Sequence, residues 1–213
     1  MKTLQNILGG LMAGIMISIG GSVFLATYGS GDILSKSIGA FFFAVALLCI
    51  CYKGYSLFTG KVGYLPEKHD KEAFSILLWG LLGNLIATVG LGIALSYALP
   101  NIREVALTIC TAKLTQIWWQ TLIRAIFCGI LMYMAVSIYR DKKTIAGILF
   151  CVPVFILAGF EHSIANMFYF GVAGNFFTPE VLCYLAIVVL GNALGGMLMP
   201  LLSMIKPKET SNG

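Results

Sequence analysis

Gly159-Phe160-Glu161-His162-Ser163-Ile164-Ala165-Asn166-Met167 places a carboxylate, an imidazole, a hydroxyl and an amide within six consecutive positions, Glu161 to Asn166. Apolar runs bound the stretch on both sides, Ile145 to Leu157 before it and Met167 to Phe170 after it. A charged side chain left without partners in lipid costs about 2.5–3.5 kcal/mol on insertion scales. Such residues are rare in membrane spans, and by default they mark an ion or proton pathway. The plainer alternative is a polar knot that pins neighbouring helices together. Four polar types packed so closely favour the pathway.

Working outward, the rest of the chain fits an integral membrane protein. Of 213 residues, 59% are hydrophobic and 11% charged, whereas soluble domains carry about 25% charged residues. The net charge of +5 needs no nucleic acid to explain it. The six cysteines sit mostly inside apolar runs, where Cys behaves as a small hydrophobe. Cys49-Ile50-Cys51 has neither metal nor redox spacing, and the chain has two histidines. No metal, cofactor or disulfide is expected. Met1-Lys2 followed by an apolar stretch to Tyr28 reads as a span, not a cleaved leader.

About 20 mainly apolar residues cross a bilayer as helix. Six segments qualify: Leu4–Tyr28, Ser37–Leu57, Phe74–Leu99, Ile117–Tyr139, Ile145–Phe170 and Val181–Ile205. The second ends in Lys53-Gly54-Tyr55-Ser56-Leu57-Phe58-Thr59-Gly60-Lys61, a poor continuation for a lipid-facing helix. The stretch Asn101 to Gln116 is mixed and suits the membrane interface. A polar tail, 206–213, is expected to be disordered. With both termini inside, Lys2, Lys68, Lys71, Arg140, Lys142, Lys143, Lys206 and Lys208 face the cytoplasm. Only Lys36, Arg103 and Lys113 face outward, as the positive-inside rule requires.

The two polar interruptions superpose without gaps. Gly54-Tyr55-Ser56-Leu57-Phe58-Thr59-Gly60-Lys61-Val62 lies on Gly159–Met167, Gly on Gly, Tyr on Phe, Ser on Glu, Lys on Asn. Gly83-Asn84 corresponds to Gly191-Asn192, and Gly14 to Gly129. Three helices followed by three must be inverted across the membrane, with halves of about 1–99 and 101–205. Paired interrupted helices in inverted halves point to a midplane transport site. Chance similarity between two Gly-rich segments is the competing explanation, and the symmetric placement disfavours it. The chain reads as one transmembrane channel domain.

Gly159–Phe168, read as Gly-Phe-Glu-His-Ser-Ile-Ala-Asn-Met-Phe, resembles the signature of the formate/nitrite transporter family, and Leu57-Phe58-Thr59-Gly60 resembles its companion motif. The resemblance runs over nearly the whole chain. It implies a homopentamer in the cell inner (cytoplasmic) membrane, each subunit an aquaporin-like channel with helices 2 and 5 broken. Its substrates would be small monovalent anions of weak acids, formate first, then nitrite, with hydrosulfide or short-chain carboxylates as alternatives, moving together with protons. By resemblance, His162 is the central pore histidine, Thr59 approaches it from the other broken helix, and Glu161 and Asn166 are the polar partners that fix the histidine region. Leu47, Leu57 and Phe58 look like the inner constriction and Phe43 and Phe155 like the outer one. Lys113, at the start of the fourth segment, looks like the vestibule lysine. Without the resemblance, Phe43, Leu47, Phe58 and Phe155 read as ordinary helix packing.

Ser56, Lys61, Gly129 and Lys53 depart from the family pattern and put the substrate in question more than the fold. An intramembrane enzyme is the remote alternative. It is disfavoured because Ser163 adjoins His162 in sequence and points elsewhere on a helix, and because no nucleophile or metalloprotease motif occurs. A neutral-solute pore would be expected to carry Asn-Pro-Ala loops, and the sequence has none.

Overall fold

In the bilayer core no water is present to satisfy backbone polar groups, so apolar segments must close their hydrogen bonds internally as helices. The computed structural model describes residues 1–205, and among these the chain is helical with no strand. The tail expected to be disordered, 206–213, lies outside the described residues. The elements are α1 Lys2–Tyr28, α2 Ile33–Lys53, α3 Phe58–Lys61 running into a 3-10 turn Val62–Tyr64, α4 Lys71–Ala98, α5 Pro100–Leu114, α6 Trp118–Lys142, α7 Ala146–Leu157, α8 Ser163–Ala173 and α9 Pro179–Ile205. Local chemistry sets several starts. Asp32 accepts the Ser35 N–H at 2.8 Å before α2, and Asp70 accepts the Ala73 N–H at 2.8 Å before α4. Pro100 and Pro179 stand first in α5 and α9, where a missing N–H leaves nothing unpaired.

The sequence leads to six spanning segments with the second and fifth interrupted. Among the described residues five helices, α1, α2, α4, α6 and α9, are long and apolar enough to cross a membrane. The expected fifth span is divided into α7 and α8, and the expected second span stops at Lys53 instead of Leu57. The reason is local. Gly54 and Gly159 take positive φ values of 69° and 73° and end α2 and α7, a left-handed conformation that costs a residue with a Cβ about 1–2 kcal/mol. The stretch Asn101 to Gln116 is largely α5, set off from α4 by Leu99. It packs on α8 with Ile102, Ala106 and Cys110 buried.

α1 packs on α4 and α2, and α6 packs on α9 and α7. Small residues permit the closest approaches. A Cβ on Gly83 would collide with the carbonyl of Ile7, and one on Gly195 with the carbonyl of Ile126. The short helices cross over: α8 packs against α4 and α1, whereas the α3 turn packs against α6 and α9. Large apolar side chains such as Phe41, Phe42, Phe127 and Phe150 are exposed on the outer surface, as befits a surface solvated by lipid.

Candidate permeation site

Each chain break frees backbone groups that must find partners. At the first, Ser56 N–H donates to the Gly9 carbonyl at 3.0 Å. Asn84, fully buried in α4, accepts the Phe58 N–H at 3.0 Å and donates to the carbonyls of Ser56 at 2.9 Å and Gly10 at 2.8 Å. At the second, Glu161 N–H donates to the Arg124 carbonyl at 3.3 Å. Asn192, fully buried in α9, accepts the Ser163 N–H at 2.8 Å and donates to the carbonyls of Glu161 and Ala125, both at 2.8 Å. One amide side chain thus spends both of its ends on each break. Irregular backbone persists at membrane depth only with such partners.

The breaks bring the two short helices together at their starts. His162 caps α8: its Nδ1 accepts the Ala165 N–H at 3.0 Å. A ring nitrogen that accepts a backbone N–H carries a lone pair, so in this geometry the proton sits on Nε2, which bonds Thr59 Oγ1 of α3 at 2.9 Å. The Phe155 ring stacks on the imidazole, centroids 5.5 Å apart and 18° from parallel. Phe43 meets Phe155 edge-on, with centroids 6.4 Å apart. His162 and Thr59 are 2% and 1% exposed.

Two cavities approach this pair from opposite ends of α6. One, of about 440 Å³, is lined by Phe155, His162, Glu161, Asn166 and Lys113, and by Arg124 near the start of α6. The other, of about 380 Å³, is lined by Leu47, Leu57, Gly60 and Lys61, and by Val136, Tyr139, Arg140 and Lys143 at and just past the end of α6. Phe43, Phe58 and Thr59 line neither and are buried between them. Of the residues expected at the constrictions, Leu47 and Leu57 therefore line the Lys61 cavity, and Phe155 lines the other.

One expected placement changes, and two residues take partners that the sequence left open. Lys113 does not start the fourth span. It ends α5 and is ion-paired with the buried carboxylate of Glu161. Its charge is answered, because a carboxylate in apolar surroundings requires a cation beside it. Asn166 does not bond the imidazole by its side chain. Its Nδ2 donates to Glu161 at 2.9 Å, and Gln116 donates to the same carboxylate at 2.9 Å. Glu161 itself spends its oxygens on Lys113, Gln116 and Asn166. The sequence reading missed Gln116 and missed what Asn84 and Asn192 do. A buried Asn in an apolar span was the available signal for the latter two, because its amide must bond something.

The matching model for this sequence is that of the formate/nitrite transporters, over residues 1–205. The chain belongs to the formate/nitrite transporter family. It is a multi-pass membrane transporter and not an enzyme. The "Probable formate transporter" of Methanothermobacter thermautotrophicus is 30% identical to it, over 88% of this chain and 79% of that one. The nitrite transporter NirC of Escherichia coli is 29% identical, over 87% of this chain and 76% of that one. A solved pentameric formate channel with formate bound superposes with a TM-score of 0.75 at 23% identity, covering 96% of this chain and 98% of that one. An ion channel of the same family gives 0.77 at 24% identity, covering 96% and 91%. These likenesses establish the shared channel fold of this family member.

Proposed function

We propose that this chain conducts small monovalent anions of weak acids, formate first and nitrite next, with protonation at or near His162. The observation that carries the proposal is the position of His162, the one imidazole between two opposed cavities, bonded to Thr59 and covered by Phe155. A bare anion loses its hydration on entering the apolar layer of Phe43, Phe58, Leu47 and Leu57, and that loss is large; the neutral acid loses far less. Nε2–H is the ring's free donor, since Nδ1 is held by Ala165. A passing acid oxygen takes that bond from Thr59, and the hydroxyl turns to the other oxygen.

The chain is further proposed to be one channel domain of two inverted halves, about 1–99 and 101–205, six membrane crossings in the aquaporin-like manner. The matching bonds of Asn84 and Asn192 support this. Five subunits assemble in the cytoplasmic membrane, as the pentameric neighbour suggests, with both termini inside. Lys68, Arg140 and Lys143 in its lining support a cytoplasmic position for the Lys61 cavity, with the Glu161 cavity facing out.

The test is stopped-flow uptake of formate, nitrite, hydrosulfide and acetate into proteoliposomes, with and without a pH gradient, for wild type, His162→Ala and His162→Asn. Uptake that responds to the pH gradient in wild type and loses that response in His162→Asn is expected. PH-responsive uptake retained by both variants would remove His162 from the mechanism.

A further inference from the structure

The Lys61 cavity carries charge that conduction past His162 does not use. Among the described residues four basic ones line it, Lys61, Lys68, Arg140 and Lys143, and no acid does. Two of the four are answered from outside the lining. Arg140 pairs with Glu67 at 3.6 Å and Asp141 at 3.1 Å and lies over the Tyr64 ring at 3.9 Å. Lys68 stands 3.9 Å from Asp70. Lys61 and Lys143 have no ion-pair partner among the described residues. Lys143 is exposed, so water serves it, but Lys61 is half-buried in a cavity walled by Leu47, Ile50, Leu57 and Val136. A cation held in such surroundings is stabilised by a counter-charge.

A second observation falls at the same place. The hydroxyl oxygen of Tyr64 is buried and has no hydrogen-bond partner among the described residues, and Tyr64 lines this cavity. Lys61 immediately precedes the 3-10 turn Val62–Tyr64. Both line the same cavity, so Lys61 and Tyr64 stand on one side of the turn. At the other break the position matching Lys61 is Asn166, whose amide is already spent on Glu161; here Ser56 takes the place of Glu161 and brings no carboxylate. The Lys61 charge is left for something that enters.

We propose that Lys61 and the Tyr64 hydroxyl form a binding site for a small monovalent carboxylate or oxoanion on the Lys61 side of the Leu47–Leu57 wall. One unanswered cation and one hydroxyl donor suit a single negative charge. The site is a waiting station for the transported anion, and in that respect it rests on the proposed function. It makes the two faces of the channel unequal, because the Lys113 charge is already answered by Glu161.

Two measurements on wild type, Lys61→Gln and Lys61→Arg test it. The first is formate flux in proteoliposomes of established sidedness, saturated from each face in turn. Losing a charge-assisted bond raises the half-saturating concentration on the Lys61 face about tenfold or more in Lys61→Gln. The opposite face stays within about twofold, and Lys61→Arg, which keeps the charge, shifts the Lys61 face far less than Lys61→Gln does. Equal shifts on both faces, or none, overturn the site. The second is the thermal unfolding midpoint of purified protein with sodium formate against sodium gluconate, because a ligand bound only to the folded state raises it. Stabilisation of wild type and Lys61→Arg but not of Lys61→Gln supports the site even if no flux is found, in which case the proposed function fails alone. Equal stabilisation of all three proteins overturns it.

Discussion

At the first break Asn84 holds the Ser56 carbonyl and the Phe58 amide; at the second Asn192 holds the Glu161 carbonyl and the Ser163 amide. The frame is the same, down to the left-handed glycine ahead of each. The cargo is not. The second break carries a buried acid neutralised by Lys113, Gln116 and Asn166, and a histidine that caps the next helix. The first carries Ser56, with Leu57 at the position of the histidine, and a lysine that nothing described answers. Backbone bonding can be duplicated because it needs only an amide at the right height. Side-chain charge cannot be, since each buried charge needs its own partner from elsewhere in the chain.

The largest expected effect separates the two lysines. Lys113→Met leaves Glu161, 1% exposed, with neutral donors alone, and lowers stability by about 3–5 kcal/mol. The double variant Lys113→Met/Glu161→Gln recovers most of that loss, whereas Lys61→Met costs under about 1 kcal/mol. Thermal unfolding in detergent measures all three. Equal losses for the two single variants would mean that Lys61 has a structural partner too, and the contrast between the breaks would fail.

Asn84→Ala and Asn192→Ala examine the shared frame. Each leaves buried backbone groups unpaired and costs about 3 kcal/mol. The two should agree within about 1 kcal/mol if the breaks are equivalent, and a wide gap in unfolding midpoints would show that one break is held by other contacts. Gly54→Ala and Gly159→Ala should each cost about 1–2 kcal/mol, from the positive φ alone, because no atom lies within 4 Å of the added methyl at either.

A smaller effect marks the difference at the helix starts. His162→Leu removes the α8 cap and costs about 1 kcal/mol more than His162→Asn, which can still accept the Ala165 N–H. Amide exchange at Ala165 gives the same answer locally. The smallest effect lies outside the membrane, at the Asp32 cap of α2. The Ser35 backbone N–H holds its carboxyl at about 2, below the ordinary 3.8. The folded state therefore takes up this proton later than the unfolded one as pH falls. The contribution is whole above about pH 4 and fades toward about pH 2. Unfolding midpoints of Asp32→Asn should lack that part of the acid slope.

The outline was legible in composition and pattern. Apolar runs of spanning length, the glycines at 54 and 159, and the match between the two interrupted segments foretold helices, breaks and their pairing. His162 stood out because a polar group in an apolar run must have a purpose, and Thr59 through the resemblance of Leu57-Phe58-Thr59-Gly60 to the family motif. What sequence left open was partnership. Nothing local says that Lys113, 48 positions before Glu161, answers it, or that Asn166 turns to the acid and not to the imidazole. Asn84 and Asn192 were visible as a repeated pair, yet their bonds run to backbone distant in the chain. Sequence by itself determined where the apolar helices lie and where they break, because those depend on transfer free energy and backbone conformation, both local. Only the tertiary structure decided which charge meets which, since electrostatic pairing depends on distance in space, and folding sets that distance.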